Sequence, residues 1–199
     1  MFDLEQVRAD SNRRIAVGDL ELLQRCCDYC GAKTILEIGS ADGGSSVVLG
    51  TKAKERGGHL YCIEPFPKSK MIGNMKAYGL DGFFTLVPEA SPWVTLNLKS
   101  IAPIDLLFID GRHDIRWCLV DYHYFEPYVR EGGVVIFHDT GGTCQEDRRQ
   151  PDYRKSGYVP LVLRAIDIIL STDADSLIQF DLSTAKDGGA MAFTKRSAK

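Results

Sequence analysis

The sequence lacks any apolar run approaching the ~20 residues that a membrane span requires, so no stretch of it reads as a spanning helix. It also lacks an excess of positive charge. Its 24 Lys and Arg stand against 27 Asp and Glu, a formal net charge of −3. That balance argues against a chain built to neutralise phosphate backbones or an anionic lipid surface, so neither nucleic acid nor membrane is an expected partner. The acidic opening MFDLEQVRAD has no signal-peptide pattern, and a cytoplasmic location is the expectation. There is no internal repeat and no low-complexity tract.

A cysteine framework is missing as well. Six cysteines are present (Cys26, Cys27, Cys30, Cys62, Cys118, Cys144), but their spacing fits no disulfide scaffold. Cys27-x-x-Cys30 has no second pair to complete a zinc site. The thiols are therefore expected to be reduced and packed against the core, as free cysteine usually is.

What is present is an alternation. Apolar runs at 34–38, 59–63, 82–87, 104–109 and 134–137 are separated by helix-period stretches at 45–56, 68–79 and 114–129, after a polar, helix-leaning segment over 4–30. Alternation of this kind implies an α/β domain with a parallel sheet covered on both faces. At 199 residues, one domain spanning 1–199 is the economical organisation, with residues 1–31 as an N-terminal helical segment. Near the end, VPLVLRAIDIIL reads as a helix. DSLIQFDL and GAMAFTK then read as strands joined by the turn-rich STAKDGG, consistent with an antiparallel hairpin. Seven strands are expected, with the last one reversed. The polar stretch at 141–157 is long for a connection, and loops of that length are usually functional or disordered.

The first strand runs into TILEIGSADGGSSVVLG, which has glycines at 39, 43, 44 and 50. In open parallel sheets, ligands bind beyond the carboxyl ends of the strands, where the strand order reverses. Gly39 and Gly43 allow a tight turn there, and the helix that follows offers unpaired N–H groups. Glu37 stands beside the loop. Glu64 ends the second strand, where a carboxylate can accept hydrogen bonds from ribose hydroxyls. Yet the loop does not spell G-x-G-x-x-G, the pattern that accommodates a pyrophosphate.

Glu37-Ile38-Gly39-Ser40-Ala41-Asp42-Gly43 instead resembles the E-x-G-x-x-x-G motif of the class I S-adenosylmethionine-dependent methyltransferases. The resemblance extends over most of the chain, and its specific motifs lie between Glu37 and Asp139. It implies a Rossmann-like class I methyltransferase fold and S-adenosylmethionine as cofactor. On that resemblance Gly39, Ser40 and Gly43 would face the methionine part of the cofactor, Glu64 the ribose, and Glu89 and Ala90 the adenine. Glu37 and Asp110 complete the candidate cofactor residues. Ser45 and Ser46 have the alternative role of capping the following helix.

Two further clusters follow the fourth and fifth strands: Asp110, Arg112 and His113 in FIDGRH, and His138 and Asp139 in FHDT. Both strand ends face one crevice, so several reactive groups converge. Here the similarity narrows to small O-methyltransferases, the metal-dependent catechol-type and the sugar-directed enzymes. The catechol-type pattern implies metal ligands at Asp110, Asp139 and Thr140 and a base at position 113. Thr140 departs from that pattern, because a hydroxyl is a weaker ligand than an amide carbonyl, which leaves Mg²⁺ or another divalent cation an open question. His138 is a substitute ligand by position, though imidazole suits zinc, iron or nickel better than magnesium. The candidate catalytic residues are His113, the preferred base because neutral imidazole is abundant near neutral pH, together with His138 and Asp110.

The expected activity is transfer of a methyl group to a small-molecule acceptor, most simply to oxygen. Two alternatives stay open: an NAD(P)-dependent oxidoreductase, which would use Glu64 equally well, and a non-catalytic S-adenosylmethionine-binding protein. Arg148, Arg149, Arg154 and Lys155 are candidates for an anionic substrate, or a solvated charge run. The N-terminal helix around 2–23 is a candidate lid or homodimer contact. Trp117, Tyr122, Tyr124 and Phe125 read as helix core and rim.

Overall fold

The computed structural model describes residues 3–12, 14–142, 144–152, 154–155, 157–172, 177–183 and 188–196. Its strands are β1 (Thr34–Ile38), β2 (His59–Ile63), β3 (Phe84–Val87), β4 (Ile104–Ile109), β5 (Val129–His138), β6 (Leu177–Ser183) and β7 (Ala190–Lys195). The helices are α1 (Leu4–Asp10), α2 (Val17–Cys30), α3 (Gly44–Glu55), α4 (Ser69–Ala77), α5 (Leu98–Ile101), α6 (Ile115–Phe125), α7 (Gln145–Arg148) and α8 (Leu161–Thr172).

The seven strands form one sheet in the order β3-β2-β1-β4-β5-β7-β6. All neighbouring pairs from β3 to β5 are parallel, while β7 runs antiparallel to both β5 and β6. The last strand is therefore the reversed one, as the sequence implied. The residues of the turn between β6 and β7, 184–187, lie outside the described set, as does Phe2 of the proposed lid.

Period-two alternation decides which helices each strand meets. Ile35, Leu60, Leu106, Phe108, Val134 and Ile136 pack toward α2, α3 and α4. Leu36, Ile38, Ile63, Leu107, Ile109 and Val135 pack toward α6 and α8. Burial on both faces is why these strands read as continuous apolar runs. Glu37 falls between Leu36 and Ile38, so its carboxylate enters the α3 side of the core.

Several boundaries differ from the sequence expectation, each for a local reason. The N-terminal segment is two helices: Asp3 caps α1 by accepting from the backbone N–H groups of Glu5 and Gln6 (3.0 and 3.1 Å), and α2 ends at the left-handed Gly31. α6 stops at Phe125, where Pro127 enters a 3-10 turn. β5 starts five residues before its apolar run, at Val129, because its pairing with β4 passes through an irregularity that takes in Gly132 and Gly133. β3 begins only at Phe84, after Gly82 at φ +81.

All six cysteines are buried and free, and Cys30 Sγ donates to the Cys26 carbonyl, so the Cys-x-x-Cys pair belongs to the core. Among the described residues no helix is long and apolar enough to cross a membrane.

Candidate active site

The chain leaves β1 toward β2 and β3 and returns on the other side of β1 as β4. This reversal opens a crevice beyond the carboxyl ends of β1 and β4. A cavity of about 600 Å³ occupies it.

The glycine loop forms one wall. Gly39 sits at φ +84, and its N–H donates to the Ile63 carbonyl at 2.9 Å. A Cβ at Gly39 would lie 2.1 Å from the carbonyl oxygen of Asp110, so the β1 and β4 turns meet at van der Waals contact only because this residue has no side chain. Gly39, Ser40 and Ser45 line the cavity. Ser40 Oγ is buried with no hydrogen-bond partner among the described residues.

Gly43 does not line the cavity. At φ +87 it is the left-handed residue that opens α3, and it packs on Met71. Glu37 does not line it either. Its buried carboxylate accepts from Ser45 Oγ and Ser46 Oγ (both 2.5 Å) and from Cys62 Sγ (3.2 Å), which ties α3 to β1 and β2 from beneath. Burial pushes Glu37 up to about 7 against the opposing effect of those donors. Glu37 is thus a support of the loop rather than a cofactor contact.

Glu64 lines the cavity from the end of β2. Its Oε2 accepts from the N–H groups of Ser40 and Ala41 (both 3.2 Å), and its Oε1 from Phe66 N–H (3.0 Å), so one carboxylate fixes both loops. Beyond β3, Ala90 and Ser91 line the cavity, but Glu89 points away, with Thr95 as its partner.

The opposite side carries the titratable cluster. Asp110, His113, His138 and Asp139 all line the cavity, at the ends of β4 and β5. Asp110 Oδ1 lies 2.9 Å from His138 Nδ1 and 3.1 Å from His113 Nε2. Asp139 Oδ2 is 3.3 Å from His113 Nε2, and its Oδ1 is 3.7 Å from His138 Nδ1. Asp139 reaches this position from the left-handed backbone region at φ +57, which aspartate tolerates better than most side chains.

These contacts set the charges. Burial opposes ionisation of Asp110, but the imidazoles of His138 and His113 prevail and hold it at about 2. Burial also works against a charged His113, yet Asp110, Glu146 and Asp139 push it up to about 10. His138 goes well above its ordinary value despite its burial, through Asp110 and Asp19. Asp139 is raised, by burial first, with the two imidazoles partly offsetting it.

Two expectations are thereby corrected. His113 is not a neutral imidazole near neutral pH in this arrangement. His138 is 4% exposed with both ring nitrogens engaged, so it is not presented as a free base. Thr140 does not line the cavity; its N–H donates to the Gly189 carbonyl at 3.1 Å. The catechol-type ligand set is therefore incomplete at that position.

Four contributors were not singled out from the sequence. Asp19 on α2 is 1% exposed and accepts from His138 Nε2 at 3.1 Å. Glu146, on α7, lies 3.8 Å from His113 Nδ1 and is drawn down to about 2 by that neighbour. Asp121 on α6 lines the cavity, accepts from Ser91 Oγ, and is pushed up to about 6 by burial. Arg14, between α1 and α2, also lines it and pairs with Asp42 at 2.8 Å. The available signal for Asp19 and Asp121 was a carboxylate on an otherwise apolar helix face. Of the candidate basic run, none of Arg148, Arg149, Arg154 and Lys155 lines the cavity, whereas Trp117 of the aromatic series does.

A family profile described as a methyltransferase domain matches residues 36–140. No curated protein matches the chain. Among solved structures, the O-methyltransferase TomG from Streptomyces achromogenes, in complex with SAM, is 20% identical, with a TM-score of 0.68 over 99% of this chain and 92% of its own. The O-methyltransferase from Bacillus cereus, in complex with SAH, is 23% identical, with a TM-score of 0.65 over 98% and 92%. Cofactor-bound Rv0187 from MTB is 19% identical, with a TM-score of 0.71 over 98% and 90%. At these identities the structural likeness concerns the fold.

Proposed function

The chain belongs to the methyltransferase-domain family, and from that premise we propose that it transfers the methyl group of S-adenosylmethionine to an oxygen of a small-molecule acceptor. One observation carries this proposal: a single cavity joins the Gly39–Ser40 loop and Glu64 to the Asp110–His113–His138–Asp139 cluster. The first group suits a zwitterionic amino acid and a ribose. The second suits a hydroxyl that must be oriented and lose a proton.

Glu64 is the ribose acceptor in this proposal. The unpartnered Ser40 Oγ and the N-terminal turn of α3 serve the methionine end. Ala90, Ser91 and Asp121 serve the adenine. Methyl transfer needs the acceptor oxygen in line with the sulfonium methyl, so positioning supplies much of the acceleration. Asp139, the carboxylate held above its ordinary range, takes the hydroxyl proton, while the charged His113 and His138 compensate the carboxylates around it.

Two carboxylates and two imidazoles on one wall also fit a divalent cation, with Asp110 and Asp139 as the oxygen ligands. Such an ion would lower the pKa of the acceptor hydroxyl.

The test is calorimetric titration with S-adenosylhomocysteine and with NAD, followed by turnover of labelled S-adenosylmethionine on panels of hydroxyl acceptors. Binding of NAD but not of S-adenosylhomocysteine would sink the proposal. Binding without turnover across the panels would favour a non-catalytic binding protein.

A further inference from the structure

Resting on the methyltransferase reading of this cavity, we propose that Arg14 is the specificity residue that grips the carboxylate of the cofactor. The connection between α1 and α2 thereby completes a site otherwise built from strand ends. Arg14 precedes residues 36–140, which the family profile matches, and belongs to the N-terminal segment.

Packing brings Arg14 to this position. A Cβ at Gly44 would come within 2.6 Å of Ser11 Oγ and 2.8 Å of Ile15 Cγ2. Because residue 44 has no side chain, the end of α1 and the connection after it lie directly on the first turn of α3. Arg14 and Ile15 line the cavity there, together with Ser40, Asp42, Gly44 and Ser45.

This end of the cavity suits an anion. The 12-residue α3 begins at Gly44, and the first N–H groups of a helix have no partner within it. They carry partial positive charge. Ser40 Oγ is a second, independent sign of a missing ligand. It is 2% exposed, lines the same cavity and has no hydrogen-bond partner among the described residues.

The charges agree with this. Asp42 is the carboxylate already at this end, and it faces two cations. Its Oδ2 accepts from Arg14 Nε at 2.8 Å and from Asn12 Nδ2 at 3.3 Å, while its Oδ1 lies 3.2 Å from Lys68 Nζ. Burial opposes its ionisation, but Asn12, Lys68 and Arg14 hold it below the ordinary carboxylate range. One positive charge is left over. Asp42 takes Nε of Arg14, and the two terminal NH₂ groups form the planar fork that matches a carboxylate. Arg112, the other arginine lining the cavity, directs its Nε to Asp114 at 2.7 Å and lies over Trp117 of α6.

The arginine is also held ready, which lowers the cost of ordering it on binding. Lys70 Nζ donates to Asn12 Oδ1 at 2.6 Å, and Tyr78 Oη to Asp10 Oδ2 at 2.8 Å. Asn74 Nδ2 donates to the carbonyls of both Asp10 and Asp42, at 3.1 and 2.9 Å. α4 thus ties the end of α1 to the glycine loop.

The experiment is calorimetric titration of the full chain with four ligands. S-adenosylmethionine and its decarboxylated form differ only in the carboxylate. S-adenosylhomocysteine retains the amino acid end, and 5′-methylthioadenosine lacks it. The parent should bind S-adenosylmethionine about tenfold or more tightly than the decarboxylated form. Arg14→Gln should weaken S-adenosylmethionine and S-adenosylhomocysteine about tenfold, the low end for a hydrogen bond to a charged group, since the Arg14 side chain is 62% exposed. It should leave the decarboxylated form and 5′-methylthioadenosine unchanged. Arg14→Lys, which keeps the charge without the fork, should fall between parent and Arg14→Gln. The ratio between ligands is read within one preparation, so a change in folded fraction cancels.

An Arg14→Gln protein that keeps the parent's preference for the carboxylate, or that loses 5′-methylthioadenosine equally, would overturn the proposal. If the parent binds neither S-adenosylmethionine nor S-adenosylhomocysteine, the methyltransferase reading fails and this assignment with it. If it binds both and the preference survives in Arg14→Gln, only the assignment of Arg14 fails.

Discussion

Gly39 and Asp110 are in contact through their main chains. The position that a Cβ on Gly39 would occupy lies 2.1 Å from the carbonyl oxygen of Asp110. This contact holds the glycine loop after β1 against the strand end that carries the titratable cluster.

Gly39→Ala therefore introduces both a backbone clash and a left-handed alanine. The conformational term alone costs about 1–2 kcal/mol, and the clash adds to it. With about 2–4 °C per kcal/mol for a chain of this size, that term alone should lower the melting temperature by roughly 2–8 °C, the clash should lower it further, and S-adenosylhomocysteine binding should be lost. An alanine variant that melts and binds like the parent would show that the two turns are not rigidly apposed.

Glu37 predicts a pH dependence of stability. Its folded pKa of about 7 lies above the ordinary 4.5, so the folded state binds more protons between these values. Its contribution is fully present below about pH 4.5 and is lost as pH rises through about 7. The amplitude is on the order of 3 kcal/mol. Melting curves from pH 5 to pH 8 should show a downward slope that Glu37→Gln flattens. An unchanged slope in that variant would assign the effect elsewhere.

Glu64→Ala should reduce affinity for S-adenosylhomocysteine by about 10–100-fold, because hydrogen bonds to a charged group are worth about 1.5–3 kcal/mol. It also frees the N–H groups of Ser40, Ala41 and Phe66. Asp121→Asn should lower the same affinity about tenfold and leave cation binding intact, since Asp121 lies with Ser91 on the adenine side of the proposed site. Calorimetry on the two variants checks both, and equal loss of cation binding in Asp121→Asn would contradict that division.

Asp105 offers a contrast at the other end of the sheet. It accepts from Arg130 Nε at 2.6 Å and from the N–H groups of Lys33 and Thr34 at 2.8 Å, joining β4 to the start of β1 and to β5. Asp105→Ala should cost about 2–3 kcal/mol in chemical denaturation with no change in ligand affinity per folded molecule. A binding defect without destabilisation would be the opposite outcome.

The strands of the sheet and the glycine turn after β1 were legible in the sequence, because both-face burial writes continuous apolar runs and a left-handed turn demands glycine. Gly39, Glu64, Asp110, His113, His138 and Asp139, singled out in the sequence near strand ends, all line the cavity, because topology alone brings strand ends together. The tertiary structure decided the rest. Glu37 faces inward because a one-residue step along β1 exchanges one face of the sheet for the other. The pairing of Asp19 with His138 could not be read from local sequence, since the two meet across 119 positions of chain. The charge on His113 follows from three carboxylates contributed by the ends of β4 and β5 and by α7. Local patterns fix where a side chain leaves the backbone, while only the packed fold fixes which charges surround it, and with them its protonation.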